Sequence, residues 1–70
     1  MKKNKIVILG GGESGIGTAI LGKKEGFEVF VSDYGKIKKK YKQVLLHHEI
    51  NWEEEVQVYD LVRKTHSVGQ

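Results

Sequence analysis

The chain has 70 residues, a net charge of +3, and neither cysteine nor proline. A chain of this length forms one small domain at most, because it buries only about 60% of its unfolded surface. The absence of cysteine excludes disulfides, thiolate metal sites and a cysteine nucleophile. The longest apolar run, Ile6–Leu9, is too short to cross a bilayer, and glycines follow it where a signal peptide would stay apolar. We therefore expect a cytoplasmic domain without a membrane partner.

A short apolar strand that runs into a glycine-rich turn is the feature that indicates function. Lys5–Leu9 is predicted to be the strand, and residues 10–17 read Gly-Gly-Gly-Glu-Ser-Gly-Ile-Gly. Gly10, Gly12 and Gly15 fit the G-x-G-x-x-G pattern that receives phosphates in Rossmann-type sheets. The alternative is a plain strand-to-helix turn that merely tolerates glycine.

The residues of this turn have separate expected roles. Gly10 permits a tight exit from the strand, Gly12 lets a diphosphate approach the backbone, and Gly15 lets the helix lie close to the sheet. Ser14 is expected to cap the helix or to hydrogen-bond a phosphate. Glu13 is expected to offer its backbone N–H and to turn its carboxylate to water. The free N–H groups of the first helical turn, with the helix dipole behind them, would face the phosphates.

The predicted elements alternate between strand and helix along the chain. After the first strand they are a helix at Ser14–Glu25, a strand at Glu28–Ser32, a lysine-rich helix at Lys36–His48 and a short strand at Ile50–Trp52. The tail from residue 53 fits either a strand or a helix, and its charges favour a helix. The pattern predicts one α/β, Rossmann-like half domain over residues 1–70, with three to four parallel strands and flanking helices. A full dinucleotide domain needs two such halves, so we expect a fragment or a module that associates.

One acid stands where nucleotide-binding sheets place it. Asp33 follows the second predicted strand, eighteen residues after Gly15. Rossmann-type proteins carry an acid at about this distance, where it hydrogen-bonds part of the nucleotide. The alternative is an acid that serves only the turn at the end of the strand.

The other polar clusters have structural explanations. Five lysines lie between Lys36 and Lys42, but the apolar residues at helical spacing among them favour a solvated helix face over a nucleic-acid site. His47 and His48 point about 100° apart on a helix, so we expect no metal site there. Glu53–Glu55 is interpreted as a solvated acidic turn.

Several segments, taken in order, resemble one known family. They are the glycine-rich turn, Val29-Phe-Val-Ser-Asp33, Gly35-Lys-Ile-Lys and Ile50-Asn-Trp-Glu-Glu54. Together they resemble the N-terminal domain of the UDP-N-acetylmuramoyl-L-alanine:D-glutamate ligases (MurD), within the Mur ligase family of peptidoglycan biosynthesis. The resemblance extends from Lys5 to about Glu54 and is poor beyond that point.

This resemblance implies that the domain binds the UDP part of UDP-N-acetylmuramoyl-L-alanine. Asp33 would accept hydrogen bonds from the uracil, and Tyr34 and Gly35 would line the uracil pocket. The residues that would hold the diphosphate through backbone N–H groups are Gly12, Glu13, Ser14 and Gly15. The glycines of the turn expected to be structural are Gly10, Gly11 and Gly17.

The resemblance also implies what the rest of such a ligase does. The full enzymes form an acyl phosphate from ATP and the substrate carboxylate, and the amine of D-glutamate then attacks it. That chemistry uses a phosphate loop, magnesium ligands and a modified lysine in later domains, none of which this chain carries. We therefore expect a docking domain that is not catalytic alone, from a ligase that uses ATP and magnesium and serves cell-wall synthesis and cell division. The sheet edge left open without those domains is expected to favour a homodimer.

Two alternatives stay open at this point. The stretch Gly11–Gly17 also fits the G-x-x-x-G-I-G pattern of short-chain dehydrogenases, whose acid after the second strand binds the ribose of NAD. The threonine usual before that pattern is replaced by Gly10 here, which counts against this class. The other alternative is a non-catalytic nucleotide sensor or interaction module.

Overall fold

The computed structural model describes residues 4–57, in which three strands alternate with two helices. The strands are parallel, hydrogen-bonded in the order β1-β2-β3. This arrangement confirms the predicted Rossmann-like half domain, with three strands in the described part. The elements are β1 (Lys5–Leu9), α1 (Glu13–Lys24), β2 (Glu28–Ser32), α2 (Lys39–His47) and β3 (Asn51–Glu53).

Both helices cover the same face of the sheet, because both crossovers move in the same direction along the strand order and crossovers are right-handed. Side chains alternate between the two faces of each strand. Ile8, Val29 and Val31 are buried against the helices, whereas Val7 and Leu9 on the other face are 45% and 61% exposed. The core therefore lies in one layer between sheet and helices, and within residues 4–57 the opposite sheet face leaves Val7 and Leu9 exposed.

The two helices end in the same hydrogen-bonded turn, which sets where the next strand begins. At the end of α1, Gly26 has φ 94 and the Phe27 N–H donates to the Gly22 carbonyl oxygen over 3.0 Å. This is the Schellman arrangement, which favours glycine because the residue after the cap is left-handed. At the end of α2 the same position is taken by Glu49, with φ 58. Both stops turn the chain back toward the sheet.

The predicted bounds of both helices and of the third strand differ from the structure, and α1 is Glu13–Lys24 rather than Ser14–Glu25. The N-cap of α1 is Gly12, so the expected capping role of Ser14 is wrong. The second helix begins at Lys39 rather than Lys36, because the preceding loop is held in an extended shape as far as Lys38, whose ψ is 146. The third strand is Asn51–Glu53, one residue later than predicted.

The expectation of a helix from residue 53 is wrong at its start. Glu53 ends β3, and residues 54–57 are not helical. The rest of that expectation concerns residues 58–70, which lie outside the described residues. Between residues 4 and 57, neither helix is long and apolar enough to span a membrane.

Candidate nucleotide site

The turn between β1 and α1 is held in one shape by close backbone contacts. Gly10 has φ 110, and its N–H donates to the Ser32 carbonyl oxygen over 2.6 Å. A Cβ added to Gly15 would lie 1.9 Å from the Gly10 carbonyl oxygen. The first turn of α1 therefore lies directly against the end of β1, at a distance that only glycine allows.

Four consecutive N–H groups at the start of α1 are available to an anion. Within residues 4–57, the N–H groups of Gly12, Glu13, Ser14 and Gly15 donate to no acceptor, whereas the Ile16 N–H donates to the Gly12 carbonyl oxygen over 2.9 Å. They lie at the positive end of the helix dipole, an arrangement that binds phosphates. We call residues 12–15 the phosphate cradle.

The carboxylate of Asp33 joins the glycine-rich turn to the loop that follows β2. Its Oδ2 accepts the Gly11 N–H over 2.6 Å, and its Oδ1 accepts the Gly35 N–H over 2.9 Å. A Cβ on Gly11 would lie 2.8 Å from Cγ1 of the buried Ile37, so the two loops are in direct contact. Each carboxylate oxygen has two acceptor positions, so Asp33 keeps capacity for a ligand.

A pocket of about 180 Å³ opens beside these loops. It is lined by Leu9, Gly10, Ser32, Asp33 and Tyr34. The pocket lies at the carboxyl ends of the parallel strands, where open α/β sheets bind their ligands. The side chains of Leu9 and Tyr34 are 61% and 56% exposed, so the pocket offers an apolar side chain and an aromatic ring beside a carboxylate.

Glu53, the last residue of β3, and Glu54 after it are bonded to the site, so the interpretation of Glu53–Glu55 as a solvated turn is wrong for these two, whereas Glu55 is exposed. The Ser32 hydroxyl donates to a carboxylate oxygen of Glu53. Glu54 accepts the Ile37 N–H at Oε1 over 2.8 Å, and its Oε2 lies 2.7 Å from Nζ of Lys42. The hydrogen bond from Lys42 and the one from the Ile37 backbone hold the pKa of Glu54 below its ordinary value.

Acid should weaken the domain partly through Glu54. A carboxyl whose folded pKa is lowered stabilises the fold above its unfolded pKa, and this contribution disappears as the pH falls through the folded value. We expect Glu54→Gln to lower the melting temperature at neutral pH and to lose this effect as the pH falls below the ordinary pKa of a glutamate and through the lowered folded pKa. Thermal unfolding by circular dichroism at each pH measures the difference. A difference that is the same at both ends of the range would contradict the assignment.

The structure brings most of the predicted site residues to one edge of the sheet. The phosphate cradle, Asp33, Tyr34 and Gly35 all lie at or next to the carboxyl ends of β1 and β2. Gly17 lies apart on an exposed part of α1, and a Cβ there would have nothing within 4 Å. The rings of His47 and His48 meet edge to face, 5.1 Å apart. No group of three or more potential metal ligands occurs among the described residues.

Sequence reasoning missed the contacts that hold the site together. The bond from Gly11 to Asp33 spans 22 residues, and the bond from Ile37 to Glu54 spans 17. Neither has a spacing that a sequence pattern would reveal. The signal in the sequence is the run of three acids at 53–55 and the cluster of lysines at 36–42. Their opposite charges indicate attraction but do not show which residues pair.

A family model described as the MurD N-terminal domain matches residues 5–64 of this chain. The chain belongs to this family. The match includes both glycine-rich and acidic parts of the site, and it extends past the end of β3.

Named relatives support membership in the MurD N-terminal domain family. Each of the following is named UDP-N-acetylmuramoylalanine–D-glutamate ligase. The protein of Christiangramia forsetii is 76% identical over 51 residues, covering 73% of this chain and 12% of the relative. That of Bacteroides thetaiotaomicron is 62% identical over 50 residues, covering 71% and 11%. That of Porphyromonas gingivalis is 56% identical over 52 residues, covering 74% and 12%.

The chain matches only a small part of these relatives. It spans 12% of the length of the Christiangramia forsetii ligase. No solved structure matches the chain. The role of this chain must therefore be inferred from its own residues.

Proposed function

We propose that this chain docks the UDP part of UDP-N-acetylmuramoyl-L-alanine for a ligase that adds D-glutamate to it. The observation that supports this most strongly is the pairing of the phosphate cradle with the Asp33 pocket at one sheet edge. The names of the relatives supply the substrate class. The site supplies groups that suit the two parts of UDP, the diphosphate and the base.

The chemistry of the site matches a uridine diphosphate. A diphosphate carries only acceptor oxygens, and the N–H groups of Gly12–Gly15 are donors at a helix N-terminus. Uracil carries a donor at N3, and the remaining acceptor positions of the Asp33 carboxylate suit it. The exposed ring of Tyr34 offers a surface on which a base can stack.

In this proposal the chain holds substrate and performs no chemical step. ATP and magnesium would act in the remaining domains of the ligase, whose length greatly exceeds that of this chain. The chain's own residues bind the uridine and orient the diphosphate. The parent reaction would belong to peptidoglycan biosynthesis in the cytoplasm, in step with cell division.

The dehydrogenase alternative is not favoured by the family match. Short-chain dehydrogenases carry a catalytic Tyr-x-x-x-Lys pair, and this spacing occurs once in the chain, from Tyr34 to Lys38. Tyr34 lies in the loop after β2, however, and Lys38 is the N-cap of α2. The two side chains are therefore not one turn apart on a helix, as that spacing would otherwise imply.

Calorimetric titration of the 70-residue chain distinguishes these ligand classes. We expect UDP to bind more tightly than UMP, because the diphosphate engages the phosphate cradle. We expect NAD and NADP to bind weakly or not at all. Tighter binding of NAD than of UDP would overturn the proposal, and so would equal binding of UMP and UDP.

The open sheet edge supports a second proposal, self-association into a homodimer. In the described part of the chain β1 has a strand on one side only, and its Val7 and Leu9 side chains are exposed. An exposed apolar edge strand is a template for pairing with another copy. We expect sedimentation velocity at high micromolar concentration to show a dimer, and Val7→Lys to return it to monomer. A wild-type chain that sediments only as monomer would remove this proposal.

A further inference from the structure

The segment from Glu53, the last residue of β3, to Val56 is bonded along its length to the loop that forms the base pocket. The Asp33 N–H donates to the Glu53 carbonyl oxygen over 3.1 Å, and the Val56 N–H donates to the Asp33 carbonyl oxygen over 3.2 Å. Between them, the Glu55 N–H donates to the Gly35 carbonyl oxygen over 2.9 Å. We call residues 53–56 the glutamate strap and residues 33–37 the pocket loop. Three backbone hydrogen bonds therefore join the strap to the loop.

Side chains of the strap extend this contact. Oε1 of Glu54 accepts the Ile37 N–H over 2.8 Å, and Oε2 lies 2.7 Å from Lys42 on α2. Glu55 lies 4.0 Å from Nζ of Lys36, a weak and exposed pair. The Glu54 carboxylate thus fixes the end of the pocket loop where it enters α2, with cations of Lys36 and Lys42 around the strap.

The pocket loop has little else to hold it. Tyr34, Gly35 and Lys36 are exposed and contribute no core packing, and only Ile37 is buried, at 4% exposure. Loops with few buried contacts open at low free energy unless hydrogen bonds restrain them. The shape of the loop therefore depends on the strap and on the Asp33 carboxylate.

The backbone of the strap shows that its path is held in place. Glu55 has φ 56, a left-handed conformation that is unfavourable for a residue with a side chain. Such a residue persists only where its surroundings determine it, and it occurs often at ligand clamps. Here two backbone hydrogen bonds impose the constraint. The Glu55 N–H donates to the Gly35 carbonyl oxygen, and the Val56 N–H donates to the Asp33 carbonyl oxygen.

We propose that the glutamate strap holds the pocket loop in the shape that receives the uridine, with Glu54 as its main positioning residue. This inference rests on the proposed function, since it names what the loop binds. Glu54 is not among the residues that line the pocket. It accepts the Ile37 N–H and so holds the end of the pocket loop, which positions Asp33, Tyr34 and Gly35.

Amide hydrogen exchange and UDP titration of the full 70-residue chain test this together. In Glu54→Ala, we expect exchange at the Gly35 and Ile37 amides to rise about tenfold, and the dissociation constant for UDP to rise about fivefold. Glu54→Gln keeps an acceptor for the Ile37 N–H and should bind within about twofold of wild type. Lys42→Met is the matched control, because it removes the ion pair and leaves the Ile37 bond.

The outcomes separate the inference from a general loss of stability. Wild-type affinity in Glu54→Ala would overturn it, as would an equal loss of affinity in Lys42→Met. If Glu54→Ala does not fold, Glu54→Asp replaces it, since the shorter side chain draws back from Ile37 but keeps its charge; unchanged affinity there would overturn the inference as well. If the wild type does not bind UDP, the proposed function fails, and the exchange rates alone still decide whether the strap holds the loop.

Discussion

Gly15→Ala is expected to unfold the domain or come close to it. The new Cβ would lie 1.9 Å from the Gly10 carbonyl oxygen, a backbone atom that no side-chain rotation can move away. Relief requires α1 to shift off the sheet, at a cost of about 3 kcal/mol or more. A domain of this size is stable by only about 4–10 kcal/mol, so the change removes much of the total. Urea unfolding measures it directly.

Gly17→Ala is the matched control for this variant. Gly17 lies on the same helix, is exposed, and has nothing within 4 Å of a Cβ. Alanine favours a helix over glycine by about 1 kcal/mol, so Gly17→Ala should stabilise the domain slightly. A comparable loss of stability in both variants would contradict the role of the Gly10 contact, because helix propensity favours alanine at both positions and only Gly15 has this contact.

Asp33→Ala is expected to lower both stability and UDP affinity. The substitution removes the acceptors of the Gly11 and Gly35 N–H groups. Leaving the buried Gly11 N–H without a partner costs about 1–3 kcal/mol. The loss of the carboxylate from the pocket should raise the dissociation constant for UDP about tenfold or more. Chemical unfolding and calorimetry measure the two effects on the same sample.

Tyr34→Ala separates the binding role from the structural one. Tyr34 lines the same pocket, is 56% exposed, and makes no hydrogen bond through its side chain in the described structure. We expect weaker UDP binding and a change in unfolding free energy within about 0.5 kcal/mol.

If Asp33→Ala loses stability but binds UDP as wild type does, the acid serves only the loops, and the proposed uracil contact is wrong.

The sequence predicted the strands of this fold well because their signals are local. Lys5–Leu9 and Glu28–Ser32 are apolar runs closed by a glycine turn and by an acid, and both have the predicted bounds. The start of α2 was wrong because it depends on a distant residue. Glu54 holds the Ile37 N–H and keeps the chain extended as far as Lys38, a tertiary contact that overrides helical spacing.

The same distinction applies to the site. The glycine spacing and Asp33 were enough to predict that these candidate residues lie at the carboxyl edge of the sheet, because strand order and the position of the acid follow from general rules. The partners of Asp33 did not follow from them. The bond to Gly11 and the return of the strap to Gly35 depend on how two loops pack, which one sequence does not reveal.

We propose that one edge of this sheet receives both the uracil base and the diphosphate of a UDP-sugar. The most direct test is an amide chemical-shift titration of the isotope-labelled chain with UDP-N-acetylmuramoyl-L-alanine, with NAD titrated in parallel. We predict shifts at Gly12–Gly15 and at Asp33–Gly35 with the UDP-sugar, and none at these residues with NAD. Shifts at these residues with NAD alone, or no shifts there with the UDP-sugar, would contradict the account.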